Sequence, residues 1–316
     1  VSVVKNLGKL TRIGRQIQAA MRDFAPDVVI PVDYADFNFR FILPYAKKEL
    51  RCPVIYYILP KLWAWRAGRI RQLRRYVDLG LSILPFETSY FSDRGLRTEY
   101  IGNPCVDAKL TYLAEHPEPV EREQMLLLVP GSRQSELRDN LPEMLAATAA
   151  YSQLGWRVVI AGAPGLTAAD YAPHLGKYSD TPILFGDTYG LMRHAHAALV
   201  TSGTATLEAG LWGIPMVVCY RMGGRRIARL AFERLFRVPY FSLVNLILDR
   251  PAVPELLADR AHSVQILSIL SRLIPEEDHR RTDQLQALAQ LQELMGTEPS
   301  APRAARAILS YLHEAR

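Results

Sequence analysis

Two short turns in this chain carry residue types that could hold a phosphorylated ligand. The first is Ser202-Gly203-Thr204. It follows the apolar run Ala197–Thr201 and precedes Ala205–Trp212, which has the make-up of a helix that Gly213 stops. A strand, a small-residue turn and a helix start leave backbone N–H groups free and aim the positive end of the helix dipole at the turn. Ser202, Thr204 and Thr206 add hydroxyl donors, and Glu208, one turn in, can accept from a sugar hydroxyl. The same residues also suit an ordinary capped helix of an α/β protein. The second turn, Pro130-Gly131-Ser132-Arg133-Gln134-Ser135-Glu136-Leu137, follows the apolar run Met125–Val129. Gly131 allows close backbone approach and Arg133 can neutralise a phosphate through two bonds, although Arg133 and Glu136 could simply pair as neighbours.

A third cluster suits acid–base chemistry. Asp27–Val32 reads as a strand and ends in Asp33-Tyr34-Ala35-Asp36-Phe37-Asn38. In parallel sheets ligands bind beyond the carboxyl ends of strands, and two carboxylates and an amide stand at this end. The structural alternative is that Asp36 caps a helix over Phe37–Glu49. His194 and His196 have metal-like spacing without a third ligand in view, so no metal site is expected. Cys52, Cys105 and Cys219 are scattered and odd in number, which argues against a disulfide framework.

The elements around these residues alternate between strand and helix. Apolar β-rich runs at Val54–Leu59, Leu79–Leu84, Thr98–Ile101, Met125–Val129, Arg157–Ala161, Ile183–Phe185, Ala197–Thr201 and Pro215–Tyr220 are separated by helical patterns. That alternation predicts an α/β chain with two parallel-sheet domains of the Rossmann kind. The 316 residues suffice for two cores, and 49% hydrophobic with 22% charged residues is ordinary for a globular protein. The polar stretch Lys109–Gln124 reads as the linker, which gives domains 1–108 and 109–298 and a last helix in 299–316. The net charge of +6 favours anionic partners, but no nucleic-acid motif accompanies it. No apolar run is long enough to span a bilayer. Val1–Phe24 is helical in pattern, and its start combines Val3, Val4, Leu7 and Leu10 with Lys5, Lys9 and Arg12, as an interfacial membrane contact would. Trp63 and Trp65 share a loop, where tryptophans either pack or wall a ligand. The chain opens as if mid-domain, and an N-terminal piece is expected to be missing.

Six motifs in order, VDYADFN, YYILPKLWAWR, ILPFETSYF, YIGNPCVD, LLVPGSRQSEL and TSGTATLEAGLWGIPMVVCYRM, resemble lipid-A-disaccharide synthase over almost the whole chain. The resemblance implies a GT-B glycosyltransferase, with two Rossmann-like domains about a cleft and a last helix returning to the first. It implies UDP-2,3-diacylglucosamine as donor and 2,3-diacylglucosamine 1-phosphate (lipid X) as acceptor. The products are UDP and the β-1,6-linked disaccharide 1-phosphate, made with inversion, without a cofactor, at the cytoplasmic face of the inner membrane.

On this reading Gly131, Ser132, Glu136, Ser202, Gly203, Thr204, Thr206 and Arg221 bind the donor, and Glu208 holds its ribose. Asn245 matches a polar position of the family's LPN motif and joins them. Arg133 stabilises the leaving UDP, Asp36 is the base with Asp33 as second choice, and Asn38, Trp63 and Asn103 belong to the acceptor side. The sequence departs from the family in lacking a Gly/Ser-rich opening loop. It also has Asn103 in place of a histidine and Ala35 in place of a proline. A relative that binds a nucleotide sugar or lipid without turnover, or a GT-B enzyme with another acceptor, are the competing readings.

Overall fold

Residues 55–57 and 79–82 are buried almost throughout, the condition of strands covered by helices on both faces. The computed structural model describes residues 7–221 and 239–314. Contacts divide the chain into two units, Val1–Pro104 with Glu298–Arg316, and Cys105–Thr297. In the first unit β1 (Ile55–Tyr57), β2 (Leu79–Ser82) and β3 (Thr98–Tyr100) form a parallel sheet of order β1-β2-β3. Around it lie α1 (Leu7–Phe24), α2 (residues 35–50), α3 (Ile70–Tyr76) and α4 (Pro85–Ser92).

The strand expected at Asp27–Val32 is present only as two bridges to the β1 edge, Val29 with Val54 and Val32 with Tyr57. Proline explains the gap. Val29 N–H donates to Pro53 O, Ile55 N–H to Val29 O, Tyr57 N–H to Pro31 O and Asp33 N–H to Tyr57 O. The missing donor is position 31, where proline has no N–H. The helix expected over Phe37–Glu49 runs as α2, but two π-helical turns, Asn38–Ile42 and Ala46–Leu50, flank Leu43–Tyr45. Pro44 sits between them, and a proline ring displaces the carbonyl of the preceding turn. Asp36 does not cap this helix: Tyr34 holds that place, at φ 41°, and Asp36 lies within the first turn.

Helix α5 (Pro104–Glu115) starts at the boundary and all but its first residue belong to the second unit, so part of the segment expected to be linker is helical. Pro104 opens it and Asp107 suits its positive end. Its Tyr112 meets Tyr189 and Trp212 edge-on, with centroids 5.9 and 5.7 Å away. Six strands follow: β4 (Met125–Val129), β5 (Arg157–Gly162), β6 (Ile183–Phe185), β7 (Ala197–Thr201), β8 (Met216–Tyr220) and β9 (Glu255–Leu257). They form one parallel sheet of order β6-β5-β4-β7-β8-β9. The connecting helices are α6 (Gln134–Gln153), α7 (Ala168–Leu175), α8 (Thr188–His194) and α9 (Thr204–Leu211). After β8 come α10 (Leu243–Leu248), α11 (Ser263–Leu270) and α12 (His279–Met295). The sequence pattern predicts a helix over Leu141–Leu154, but α6 begins seven residues earlier, because Pro142 lies on its exposed face and is tolerated there.

The last helix, α13 (Ser300–Glu314), belongs to the first unit. Its Ala304 and Ala307 join the core of Ile55, Leu79, Leu81 and Ile101. Arg303 donates to Tyr100 O at 3.0 Å and Arg97 pairs with Glu314 at 2.8 Å.

The second unit also uses a half-buried cation from the supposed linker. Arg122 donates to Ala195 O (2.5 Å), Trp212 O (2.8 Å) and Gly213 O (3.0 Å), tying together the carboxyl ends of α8 and α9. Burial, with Arg281 nearby, lowers its pKa. Arg122→Ala would strand three carbonyls and should cost about 3 kcal/mol of stability, with Arg122→Lys losing less. Urea unfolding followed by tryptophan fluorescence measures both, and an unchanged midpoint for the alanine variant would refute this role.

Candidate functional site

The sheet of the second unit reverses its direction of growth at β4. Strands β5 and β6 add on one side and β7 to β9 on the other, so crossovers leave from adjacent central strands toward opposite ends. A crevice opens beyond such a switch point. The register pairs Val129 with Val200, which brings the turns after β4 and β7 side by side. A cavity of about 1020 Å³ lies there. Gly131, Ser132, Arg133, Glu136, Ser202, Gly203, Thr204 and Glu208 all line it. The two turns read from sequence therefore share one pocket.

Glu136 occupies the first turn. Its carboxylate accepts from Ser132 N–H at 2.9 Å and from Arg133 at 2.9 Å. Gly131 is required beneath it: its φ is 111°, and a Cβ there would stand 2.4 Å from Glu136 Oε2. Arg133 lines the cavity with most of its side chain in solvent, 77% exposed, while its guanidinium is paired with Glu136. Glu208 accepts from Tyr189 O–H at 2.8 Å, and burial together with that carboxylate raises the Tyr189 pKa. Thr204 is exposed on the wall. Thr201 Oγ1, at the end of β7, is buried against the cavity without a hydrogen-bond partner among the described residues. A buried hydroxyl in that state is open to a ligand.

Other expected donor contacts act one layer back. Thr206 is fully buried and spends its hydroxyl on Gly203 O (2.8 Å) and Leu243 N–H (3.3 Å). Ser202 Oγ donates to Phe241 O at 2.9 Å. Asn245 is not on the cavity wall. Its amide donates to Val253 O and to Glu255 Oε1, both at 2.8 Å, and its oxygen accepts from Val253 N–H. Glu255 in turn accepts from Phe241 N–H and from Ser242 N–H, at 3.0 and 2.8 Å. This chain of bonds fixes the backbone on which the Ser202 turn rests. Arg221 is likewise off the wall: it pairs with Glu143 and its N–H donates to Asn140 Oδ1 at 2.8 Å.

Sequence reasoning missed half of the wall. The loop Ala163-Pro164-Gly165 after β5 and Gly186-Asp187-Thr188 after β6 line the cavity, with Phe185, Met192 and Tyr112. Phe185 lies across the end of β5, where a Cβ on Gly162 would come within 2.2 Å of its ring. The available signal was their position, at the carboxyl ends of strands.

In the first unit Asp33 and Tyr34 both adopt left-handed backbone, at φ 40° and 41°. Tyr56 O–H donates to Asp33 O at 2.6 Å, and Asn38 Nδ2 donates to the same oxygen at 2.5 Å. Asn38 is thus a buried support of the bend and not an open contact. Asp36 is exposed, with Oδ1 at 2.8 Å from Arg66 and 2.5 Å from Arg69. Trp63 packs edge-on against Phe86, 5.1 Å between centroids, and its indole N–H donates to Glu87 at 2.9 Å. Asn103 is 2% exposed and donates to Ile83 O at 2.8 Å, which ties β3's end to that of β2. All three expected acceptor-side residues, Asn38, Trp63 and Asn103, therefore hold loops in place. His194 pairs with Glu123 (2.9 Å) and His196 with Ile274 O (2.8 Å), and no group that could hold a metal occurs among the described residues.

A sequence model of the family described as Lipid-A-disaccharide synthetase matches residues 1–309. The chain is 35% identical to the Lipid-A-disaccharide synthase of Myxococcus xanthus over 323 aligned positions, covering 99% of this chain and 83% of the relative. It is 33% identical to that of Bradyrhizobium diazoefficiens, covering 100% and 82%. The chain belongs to the lipid-A-disaccharide synthetase family. It is accordingly a glycosyltransferase of lipid A biosynthesis, acting on a nucleotide-sugar donor and a lipid acceptor. The fold is GT-B. Similar solved structures include UDP-GlcNAc 2-epimerase from Neisseria meningitidis bound to UDP-GlcNAc (TM-score 0.58, 16% identity, 95% of this chain and 81% of that one). Another is Arabidopsis thaliana UGT89C1 complexed with UDP-L-rhamnose (0.58, 14%, 98% and 80%).

One further titratable group is set apart only by the fold of this chain. Glu87 is 1% exposed and burial pushes its pKa up to about 7, although Trp63 and backbone N–H groups at Leu84 and Ile83 hold it down. Its folded value exceeds its ordinary 4.5, so the folded chain binds the extra proton between these values. Stability from this group is full below about pH 4.5 and is lost as pH rises through about 7, a change of about 3 kcal/mol. Glu87→Gln keeps an acceptor for Trp63 and should flatten that fall. Urea unfolding at acid and neutral pH compares the two, and parallel pH curves would disprove it.

Proposed function

We propose that the chain transfers 2,3-diacylglucosamine from its UDP derivative to the 6-hydroxyl of 2,3-diacylglucosamine 1-phosphate, with inversion. The cavity at the switch point is the observation that carries the reading. Its volume suits a nucleotide sugar, and it combines two strand-end turns with an aromatic wall. The diphosphate rests on the turns after β4 and β7, and the Phe185 face suits a nucleobase. Glu208 accepts from the ribose, and Thr201 Oγ1 gains the partner it lacks.

The acceptor side is assigned to the first unit. Asp36 takes the proton of the acceptor 6-hydroxyl as that oxygen attacks the anomeric carbon, and the bond to UDP breaks with its electrons leaving on the phosphate. Arg133, released from Glu136, meets the charge that develops there. With a guanidinium and backbone N–H groups in this role, no divalent ion is needed. Asp33 stands second as base. Its strained backbone is of the sort that active sites retain.

The test is turnover with purified donor and acceptor in the presence of EDTA. Arg133→Ala and Asp36→Asn should each lower kcat by about 10²–10⁴-fold with unchanged thermal stability, and Asp36→Asn should keep its affinity for UDP. Normal turnover in Asp36→Asn moves the base to Asp33, and normal turnover in Arg133→Ala removes the leaving-group role.

The acceptor is acylated, so we place the chain on an anionic inner-membrane surface from the cytoplasmic side. Val3 and Val4 lie outside the described residues, Leu7 opens α1 and Leu10 is half-buried in it. Exposed Lys9, Arg12 and Arg15 on α1 support the placement, each worth about 1 kcal/mol near such a surface. No helix of the described residues is long and apolar enough to cross a membrane. Binding to anionic vesicles should weaken with salt and with Val4→Asp/Leu7→Asp. Equal sedimentation of wild type and variant would show that this helix packs elsewhere.

A further inference from the structure

Asp36 holds two guanidinium groups on a single oxygen. Arg66 Nη1 and Arg69 Nη2 both meet Oδ1, at 2.8 and 2.5 Å. One carboxylate against two guanidiniums leaves a unit of positive charge and, among the described residues, most of their donors unused. Both cations are held in place by aromatic faces. Arg66 lies 4.2 Å from the Trp65 ring centroid and Arg69 lies 5.1 Å from that of Phe39. Arg66 also takes left-handed backbone, φ 57°, which costs energy at a non-glycine residue. Trp65, whose ring lies against Arg66, leaves 45% of its surface exposed. A salt bridge serving only stability would gain little from an arrangement so exposed, since such pairs are worth 0 to about 1 kcal/mol.

We propose that Arg66 and Arg69 form the binding site for the acceptor's phosphomonoester, and that its arrival frees Asp36 for the acceptor hydroxyl. The inference rests on the function proposed above. The chemistry of the acceptor suits it: the anomeric phosphate and the hydroxymethyl group hang from the two carbons that flank the ring oxygen. A phosphate on the guanidiniums therefore places the 6-hydroxyl beside the same carboxylate. While both arginines sit on Oδ1, the lone pairs of that oxygen are directed at guanidinium N–H groups and not at an incoming hydroxyl. A phosphate dianion competes for the planar, bidentate donors better than one carboxylate does. The site then couples recognition to activation, because an acceptor without phosphate leaves Asp36 pinned.

The test compares a soluble, short-acyl 2,3-diacylglucosamine 1-phosphate with its phosphate-free counterpart. Wild type should prefer the phosphorylated acceptor in kcat/KM, and the preference should appear in kcat as well as in KM. Arg66→Ala and Arg69→Ala should each shrink that preference by about tenfold or more, the worth of one hydrogen bond to a charged group. The lysine variants should keep part of it. Calorimetric titration with the phosphorylated compound, which reads without turnover, should show the same loss. Absence of turnover in wild type with intact binding would count against the proposed reaction and not against this site. An unchanged preference in folded variants, or equal losses with both acceptors, overturns the proposal. Loss confined to binding of phosphatidylglycerol vesicles also overturns it and makes the pair a lipid-headgroup contact.

Discussion

Two adjacent parallel strands, apolar except for Thr201 at the end of one, set the conditions for the rest of the second unit. Strands β4 and β7 are buried on both faces, and neither can end anywhere but at the same edge of the sheet. Their crossovers run to opposite sides, so helices α6 and α9 diverge and the backbone of two turns is left without cover. The cavity follows from that geometry before any catalytic side chain is considered. The adjoining strands supply the remainder of the wall, which is why the loops after β5 and β6 belong to the same site.

The polar residues near those turns divide into those that face the cavity and those that hold the ones that do. Thr206, Ser202 and Asn245 spend their hydrogen bonds on protein, through Glu255 and the segment 241–243. Such a network leaves the backbone of the turn rigid and its N–H groups available. Glu136 does the converse at the first turn, where its carboxylate occupies an N–H and a guanidinium that an anion would use. The first unit repeats the division. Asn38, Tyr56, Trp63, Glu87 and Asn103 brace loops, whereas Asp36, Arg66, Arg69, Tyr34 and Trp65 remain at the surface. Glu87 shows the cost of bracing with an ionisable group, because its burial makes the unit lose stability as the solution turns neutral.

What the sequence determined by itself was the alternation of strand and helix, the pairing of small-residue turns with helix starts, and the family motifs. These are local signals: an apolar run such as MLLLV and a following Pro-Gly-Ser-Arg need no distant partner to be recognised. Local reading failed where a proline interrupted a pattern without ending it. At Pro31 one missing donor split a strand into two bridges, at Pro44 a helix widened into π turns, and at Pro142 an exposed position let the helix continue. Each outcome depended on what lay across from the proline, which sequence does not state.

Only the tertiary structure decided which polar side chains face ligand and which face protein. Asn245 and Glu208 have equal claims as motif residues, yet one is sealed among Val253 and Glu255 and the other reaches the cavity. The difference lies in long-range contacts that set burial, and a buried amide must satisfy its bonds within the protein. The same holds for Arg66 and Arg69. In sequence they belong to a run of arginines with an ordinary solvated reading, and folding carries them across 30 and 33 positions to one oxygen of Asp36. Charge convergence of that kind is a property of the packed chain, because it arises from backbone paths that bring distant segments to one edge of a sheet.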